Sequence, residues 1–413
     1  MTVAQESRAQ ESRAQESRAQ GNGTRTVGPD AGLVVVGSGP GGLGAATTYR
    51  DLRPSSPVTI LTADDRLPYD RPPLSKDFLR RETSADDIAL QDEGWYGEHR
   101  ITVRTGVDVE SIDPRAHTVT LAGGETVGYA SLVLATGAEP VVPPITGVGD
   151  HAFFLRNLDD ATDLRDKAAD ADSAVVIGSG FIGCEVAASL ASIGVATTIV
   201  APEEVPQQAR LGREAGERIL GFLQQAGVSY TGGVTVEAVE SGVVRLGGGV
   251  AIDTDLVVAA TGIRSSSGLA KAAGITLADG RVAVDEFMRT DVADVYAAGD
   301  VASPVNATAG RRIPTEHWDD SSAQGEIAGA AAAGQQRAWD AVPTFWSDIG
   351  SASIQYGGWG DGYDDDHLVD RGDGALAVWY RTGDVTVGAL TVSDDEDYQI
   401  ALKLIAEKRP PAG

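Results

Sequence analysis

The pattern G-x-G-x-x-G occurs twice in this chain, each time after a short apolar run and before a helix-forming one. The first copy runs Leu33 to Val36, then Gly37, Gly39 and Gly42, then Leu43 to Arg50. The second runs Ala174 to Ile177, then Gly178, Gly180 and Gly183, then Glu185 to Ala191. Strand, turn and helix in that order make a phosphate-binding turn. The first glycine permits the sharp bend, the second lets a pyrophosphate approach the backbone, and the third lets helix and strand pack closely. A single copy fits a plain strand-to-helix turn as well. Two copies predict an α/β chain built from two Rossmann-like dinucleotide-binding units.

Composition narrows the function. The 413 residues carry 60 acidic against 33 basic side chains, a net charge of -27, which argues against nucleic acid and anionic membrane as main partners. No run approaches the roughly 18 to 20 apolar residues of a membrane span, and no charged-then-apolar leader opens the chain, so a cytoplasmic protein is expected. The one cysteine, Cys184, excludes an intramolecular disulfide, and with it a redox-active cysteine pair.

Residues 4 to 18 repeat Ala-Gln-Glu-Ser-Arg three times with no large apolar residue, so 1–30 reads as a disordered tail. After a second strand, Val58 to Leu61, Asp64 and Asp65 stand where a dinucleotide's ribose hydroxyls are held. Leu67 to Lys76 contains Pro72-Pro73 and reads as a stiff, extended segment presenting Arg71 and Lys76. Strands over Ser131 to Ala135 and Leu256 to Ala260 both end in Thr-Gly, at Thr136-Gly137 and Thr261-Gly262. Val295 to Ala298 ends in Gly299-Asp300, and Glu316-His317-Trp318 leads into an alanine-rich helix, Ser322 to Ala333. Beyond Val342-Pro343 alternating strands separated by Gly/Asp turns predict a small C-terminal α+β unit, with the acidic stretch Asp361 to Asp370 as a solvated loop.

Taken together, residues 31 to 410 resemble the two-dinucleotide-domain flavoproteins, in the branch of NADH-dependent ferredoxin and rubredoxin reductases and apoptosis-inducing-factor-like proteins. Eight stretches carry the resemblance in order: Gly37 to Gly42, Pro68 to Lys76, Ala135 to Gly137, Gly178 to Glu185, Ala260 to Gly262, Ala298 to Asp300, Glu316 to Trp318 and Phe345 to Asp348. The resemblance implies an FAD unit from 31–138 and 264–341, an NAD unit from 139–263 and a C-terminal unit from 342–413. It assigns the first glycine loop to FAD and the second to NAD, with Asp64 at the FAD ribose, Arg71 and Lys76 along the flavin and Asp300 at the ribityl chain. His317 and Trp318 fall beside the isoalloxazine, with no proton-donor role expected of His317. Glu185 pairs with Lys76 next to the flavin's reactive nitrogen. Pro40, Ala135, Thr136, Gly137, Glu316, Phe181, Ile182, Gly262 and Trp346 complete the expected cofactor-binding set.

The implied activity is hydride transfer from NADH to FAD, then single-electron transfer to a ferredoxin or rubredoxin serving an oxygenase. Two alternatives share the scaffold: oxygen, a quinone or another small molecule as acceptor, and a non-enzymatic NADH-responsive switch. Glu203, after the strand Thr197 to Val200, is placed to accept the adenosine ribose hydroxyls and repel a 2'-phosphate, so NADH is expected over NADPH. An acidic partner would need a basic patch; Arg311 and Arg312 are the first candidates for it, Arg80 and Arg81 the second.

Overall fold

The computed structural model describes residues 31 to 409, so the expected disordered tail 1–30 lies outside the described residues. Five helices bear on the site: α1 (Pro40–Leu52), α2 (Phe181–Ser192), α3 (Gln208–Gln225), α4 (Trp318–Ala332) and α5 (Asp395–Glu407).

A five-stranded parallel sheet runs in the order Val295–Ala297, Ser131–Leu134, Leu33–Val36, Val58–Leu61, Thr102–Arg104. Its central strand, Leu33–Val36, is buried at every position, which is why it reads as an unbroken apolar run rather than an alternating one. A second parallel sheet orders Ser229–Thr231, Ala196–Val200, Ser173–Ile177 and Leu256–Ala259. Each sheet is accompanied by a three-stranded antiparallel sheet, Val109–Asp113 to Thr126–Gly128 in one case and Val236–Glu240 to Ala251–Asp253 in the other. One plan is thus used twice. The chain leaves the first sheet after Leu134 and returns to it at Val295. The two connections between sheets run side by side, Ala138–Pro140 pairing antiparallel with Ile263–Ser265 just past Thr136-Gly137 and Thr261-Gly262.

The C-terminal unit is a five-stranded antiparallel sheet in the order Thr344–Ile349, Ala352–Gly358, Val385–Val392, Ala375–Thr382, Asp365–Gly372, with α5 packed on it. The fold is therefore α/β, two Rossmann-like units plus a small α+β unit. Among the described residues no helix is long and apolar enough to cross a membrane.

Three local expectations are corrected. Pro72-Pro73 opens a short 3-10 turn, Pro72–Ser75, rather than an extended segment, because the first positions of a helical turn have no use for the N–H that proline lacks. Residues 365 to 370 are strand, not loop: Asp365–Gly372 pairs with Ala375–Thr382, leaving its charges at an exposed sheet edge. The helices α1, α2 and α4 begin earlier than their apolar periodicity suggests, at Pro40, Phe181 and Trp318, since each is preceded by an extended cap residue.

Helices α1 and α4 meet backbone to backbone. A Cβ on Gly325 would stand 2.1 Å from the Gly41 carbonyl oxygen, and one on Gly329 would stand 2.3 Å from that of Ala45. Small residues four apart let the two axes close in. This close approach sets the start of α4, with His317 and Trp318, against the first glycine loop.

Candidate active site

The two glycine loops have one geometry. Gly37 and Gly178 have φ of +108° and +106°, and a Cβ there would lie 2.1 Å from the Ala135 carbonyl oxygen and 2.4 Å from that of Ala260. A Cβ on Gly42 would strike Gly37 O at 2.1 Å, and one on Gly183 would strike Gly178 O at 2.3 Å. The middle glycines differ. Among the described residues nothing lies within 4 Å of a Cβ on Gly39, and only Gln207 Nε2, at 4.0 Å, is near one on Gly180. The outer glycines serve packing, while the middle ones face open space at the N-termini of α1 and α2. Neither helix has a side-chain cap, and Pro40 at the first position of α1 has no N–H to satisfy. Two helix N-termini with free amides and an open approach fit two pyrophosphates.

Around the first loop, Asp64 Oδ2 accepts the Tyr69 hydroxyl at 2.8 Å and Oδ1 accepts Arg66 N–H at 3.1 Å. Burial raises the Tyr69 hydroxyl to about 12, so it stays protonated and donating. Asp300 accepts from Arg156 Nη2 at 2.7 Å, and Arg281 bridges the Asp300 carbonyl and the Glu316 carboxylate. Thr136 Oγ1 donates to Ser266 O at 2.9 Å, which fixes the end of Ala135-Thr136-Gly137. Arg71 lies 5.9 Å from the Tyr69 ring, and burial, then Arg156, lowers its pKa. His317 caps α4 and Trp318 is its first residue. Burial, then Arg210, lowers His317 to about 4, so its ring is neutral at physiological pH, in keeping with no proton-donor role.

On the helix of the second loop lies a charge cluster with a buried centre. Lys76 Nζ is 3.8 Å from Glu185 Oε1, 3.3 Å from Asp348 Oδ2 and 3.7 Å from the centre of the Trp346 ring. Glu185 is held by two hydroxyls: Ser75 Oγ donates to Oε2 at 2.5 Å and Ser347 Oγ to Oε1 at 2.7 Å. Lys76 and Glu185 are 6% and 5% exposed. Burial raises the Glu185 carboxyl above its ordinary value, opposed by Lys76, Ser75 and Ser347. The cluster joins three parts of the chain: the turn Pro72–Ser75, α2, and the strand Thr344–Ile349.

An aromatic row runs beside it. Phe345 stacks on His317 and Tyr356, with centroids 4.7 and 4.9 Å away, and tilts against Phe181, at 4.7 Å, the first residue of α2. Ile182 and Trp346 stand 49% and 40% exposed, large apolar side chains at the mouth. Glu203 lies past Val200; its carboxylate accepts Ala209 N–H at 2.8 Å and Ser179 Oγ at 3.3 Å. Gly262, with φ +96°, has nothing within 4 Å of a Cβ. Cys184 lies on the buried side of α2, fully enclosed, and burial, then Glu185 and Glu203, pushes its thiol up, so it is inert.

Ser75, Ser347 and Asp348 sit inside motifs already singled out, but the hydroxyl clamp on Glu185 has no signal in one sequence. Arg156 and Arg281 have none either. The arginines expected to form a docking patch are already paired: Arg311 with Asp361 and the Trp359 carbonyl, Arg312 with the carbonyls of Val284 and Ser303, Arg80 with Asp77 and Glu82, Arg81 with Asp166.

Known proteins share this fold. The anthranilate 1,2-dioxygenase system ferredoxin--NAD(+) reductase component of Burkholderia cepacia is 32% identical over 394 residues, 92% of this chain and 95% of that one. The crystal structure of the ferredoxin reductase for the CYP199A2 system from Rhodopseudomonas palustris superposes with a TM-score of 0.87 at 25% identity, covering 92% of this chain and 95% of that one. A covalent putidaredoxin reductase-putidaredoxin complex gives 0.86 at 26% identity, covering 92% and 94%. Residues 344–412 match the family model described as Reductase C-terminal. Residues 31–336, which hold both glycine loops together with Lys76 and Glu185, match the model of the pyridine nucleotide-disulphide oxidoreductases, and the chain belongs to that family.

Proposed function

We propose that the protein is an FAD-dependent reductase that takes hydride from NADH and passes single electrons to a ferredoxin-type iron-sulfur protein serving an oxygenase. The observation that carries this reading is a pair of pyrophosphate-ready glycine loops with the Lys76–Glu185–Asp348 cluster built on the helix of the second. Bound FAD supplies the chemistry, accepting two electrons as hydride and releasing them singly. The chain supplies the rest. The unit of 31–138 and 264–341 would hold FAD through Gly37, Gly39 and Gly42, with Asp64, Arg71 and Asp300 along the cofactor. The unit of 139–263 would hold NADH through Gly178, Gly180 and Gly183, with Glu203 at the ribose.

Lys76 would place a cation beside the flavin, and Glu185 and Asp348 supply carboxylates within 4 Å of it in its buried setting. The single inert cysteine leaves no dithiol, so electrons leave by another route than disulfide exchange. The 32% identity to a ferredoxin--NAD(+) reductase component supports an iron-sulfur acceptor and a place in the cytoplasm, where NADH is found. NADH oxidation by the purified holoprotein against a panel of ferredoxins, rubredoxin, quinone and oxygen tests the reading. Fast turnover with an iron-sulfur protein is expected. Slow, acceptor-independent reduction with a persistent charge-transfer band would instead identify an NADH-responsive switch.

A further inference from the structure

Arg210 stands apart from the other cations of the site. Among the described residues no carboxylate lies within 4 Å of its guanidinium, although acidic side chains outnumber basic ones 60 to 33 in the chain. Instead the guanidinium carbon lies 5.0 Å from the centre of the Phe345 ring and 6.0 Å from that of Tyr356. Phe345 is the ring that touches both Phe181, at the start of α2, and His317, on the side of the first loop. An exposed arginine resting on an aromatic face is held only weakly, so a stronger anion recruits it easily.

The backbone beneath Arg210 is built as a separate turn. Gln207 has φ +58° and Gly212 φ +85°, so left-handed residues bound the turn on both sides. Within it Arg210 N–H and Leu211 N–H both donate to Gln207 O, at 3.0 and 2.8 Å. The turn is tied to Glu203 through Ala209 N–H and to the C-terminal sheet through the Tyr380 hydroxyl, which donates to Leu211 O at 2.9 Å. Gln207 is buried, and its Nε2 is the atom nearest the open side of Gly180. Arg210, three residues on, rests on Phe345, the ring that also packs against Phe181, the residue next to Gly180 at the start of α2.

We propose that Arg210 is a binding residue for the nicotinamide dinucleotide, leaving its aromatic rest to form charge-assisted hydrogen bonds with the pyrophosphate held at α2. The proposal rests on the NADH reading above and deepens it. A guanidinium suits this task because its planar fork can meet two phosphate oxygens at once, which an ammonium cannot.

Calorimetric titration of the holoprotein with NAD+ and with ADP-ribose, which has the pyrophosphate but no nicotinamide, tests it across a salt series. Arg210→Gln is expected to weaken both ligands by about tenfold or more and to flatten the salt dependence, with Arg210→Lys recovering part of the loss. Unchanged binding in Arg210→Gln, loss for NAD+ alone, or loss with the salt dependence intact would each overturn the proposal. If the unsubstituted protein binds neither ligand, the NADH reading itself has failed, an outcome separate from any effect of the substitution.

Discussion

The Ser347 hydroxyl donates to Glu185 Oε1 at 2.7 Å across 162 positions of sequence, tying the first strand of the C-terminal sheet to the helix of the second glycine loop. Ser75 closes the other carboxylate oxygen from the turn that carries Lys76. The C-terminal unit is thus part of the charge cluster through Ser347 and Asp348. A buried carboxylate needs every lone pair met, and here three segments share that demand.

Loss of Ser347 should therefore depend on pH. The folded-state pKa of Glu185 lies above the ordinary carboxyl value of 4.5, so stability present below that value is lost as pH rises through the folded pKa. Ser347→Ala removes a hydrogen bond that favours the ionised form, raising the folded pKa further and steepening the loss. We expect a cost of about 1.5 to 3 kcal/mol at pH 8 and a smaller one at pH 5, by urea denaturation. Equal costs at both pH values would mean that Glu185 does not change its protonation over this range.

Much of this was legible in the sequence, for a definite reason. A glycine that must have positive φ or yield to a carbonyl leaves its mark at its own position, so Gly37, Gly42, Gly178 and Gly183 could be read one by one. The central strands announce themselves because burial on both faces demands apolar residues throughout. Arg156, Arg281 and Arg210 could not be read, because an arginine acquires its role from partners brought to it by the fold, such as Asp300, 144 positions from Arg156. The expected docking arginines likewise have partners that only the fold reveals, Arg311 with Asp361 and Arg81 with Asp166 among them.

The glycine geometry separates folding from binding. Gly183→Ala should destabilise the second unit, since its Cβ would stand 2.3 Å from Gly178 O and the strand-to-helix turn would have to open. Gly180→Ala meets only Gln207 Nε2 at 4.0 Å, so the fold should survive while the pyrophosphate approach is narrowed. We expect Gly180→Ala to keep its melting temperature and flavin content but to bind NADH about tenfold more weakly, a loss of about 1.4 kcal/mol. Unaltered NADH affinity in a folded variant would remove the second loop from the cofactor site.

Glu203 should set cofactor choice. Its carboxylate is pinned by Ala209 N–H and Ser179 Oγ, so a 2'-phosphate arriving at the end of the strand Ala196–Val200 meets a fixed negative charge. Glu203→Gln keeps one acceptor oxygen, for Ala209 N–H, turns an amide N–H toward Ser179 Oγ, and removes the charge. The ratio of kcat/KM for NADH to that for NADPH should fall by about tenfold, mainly by a gain with NADPH. An unchanged ratio would move the determinant to another residue.

Asp320 offers the clearest pH signature outside the charge cluster. It lies on α4, 5% exposed, and among the described residues its Oδ2 has no hydrogen-bond partner. Burial raises its carboxyl to about 8, opposed by a hydrogen bond from the Thr344 backbone and reinforced by Asp319. The folded protein accordingly retains a proton that the unfolded chain releases near 3.8. Stability present below that value is lost as pH rises toward 8, with a slope of up to about 1.4 kcal/mol per pH unit. Asp320→Asn keeps the shape and cannot ionise, so its stability relative to the parent protein should grow steadily from pH 5 to pH 8. Thermal or urea unfolding at unit pH steps measures this directly. A difference that stays flat over that range would show that Asp320 carries no retained proton, and that its charge is met within the contact between α4 and the strand Thr344–Ile349.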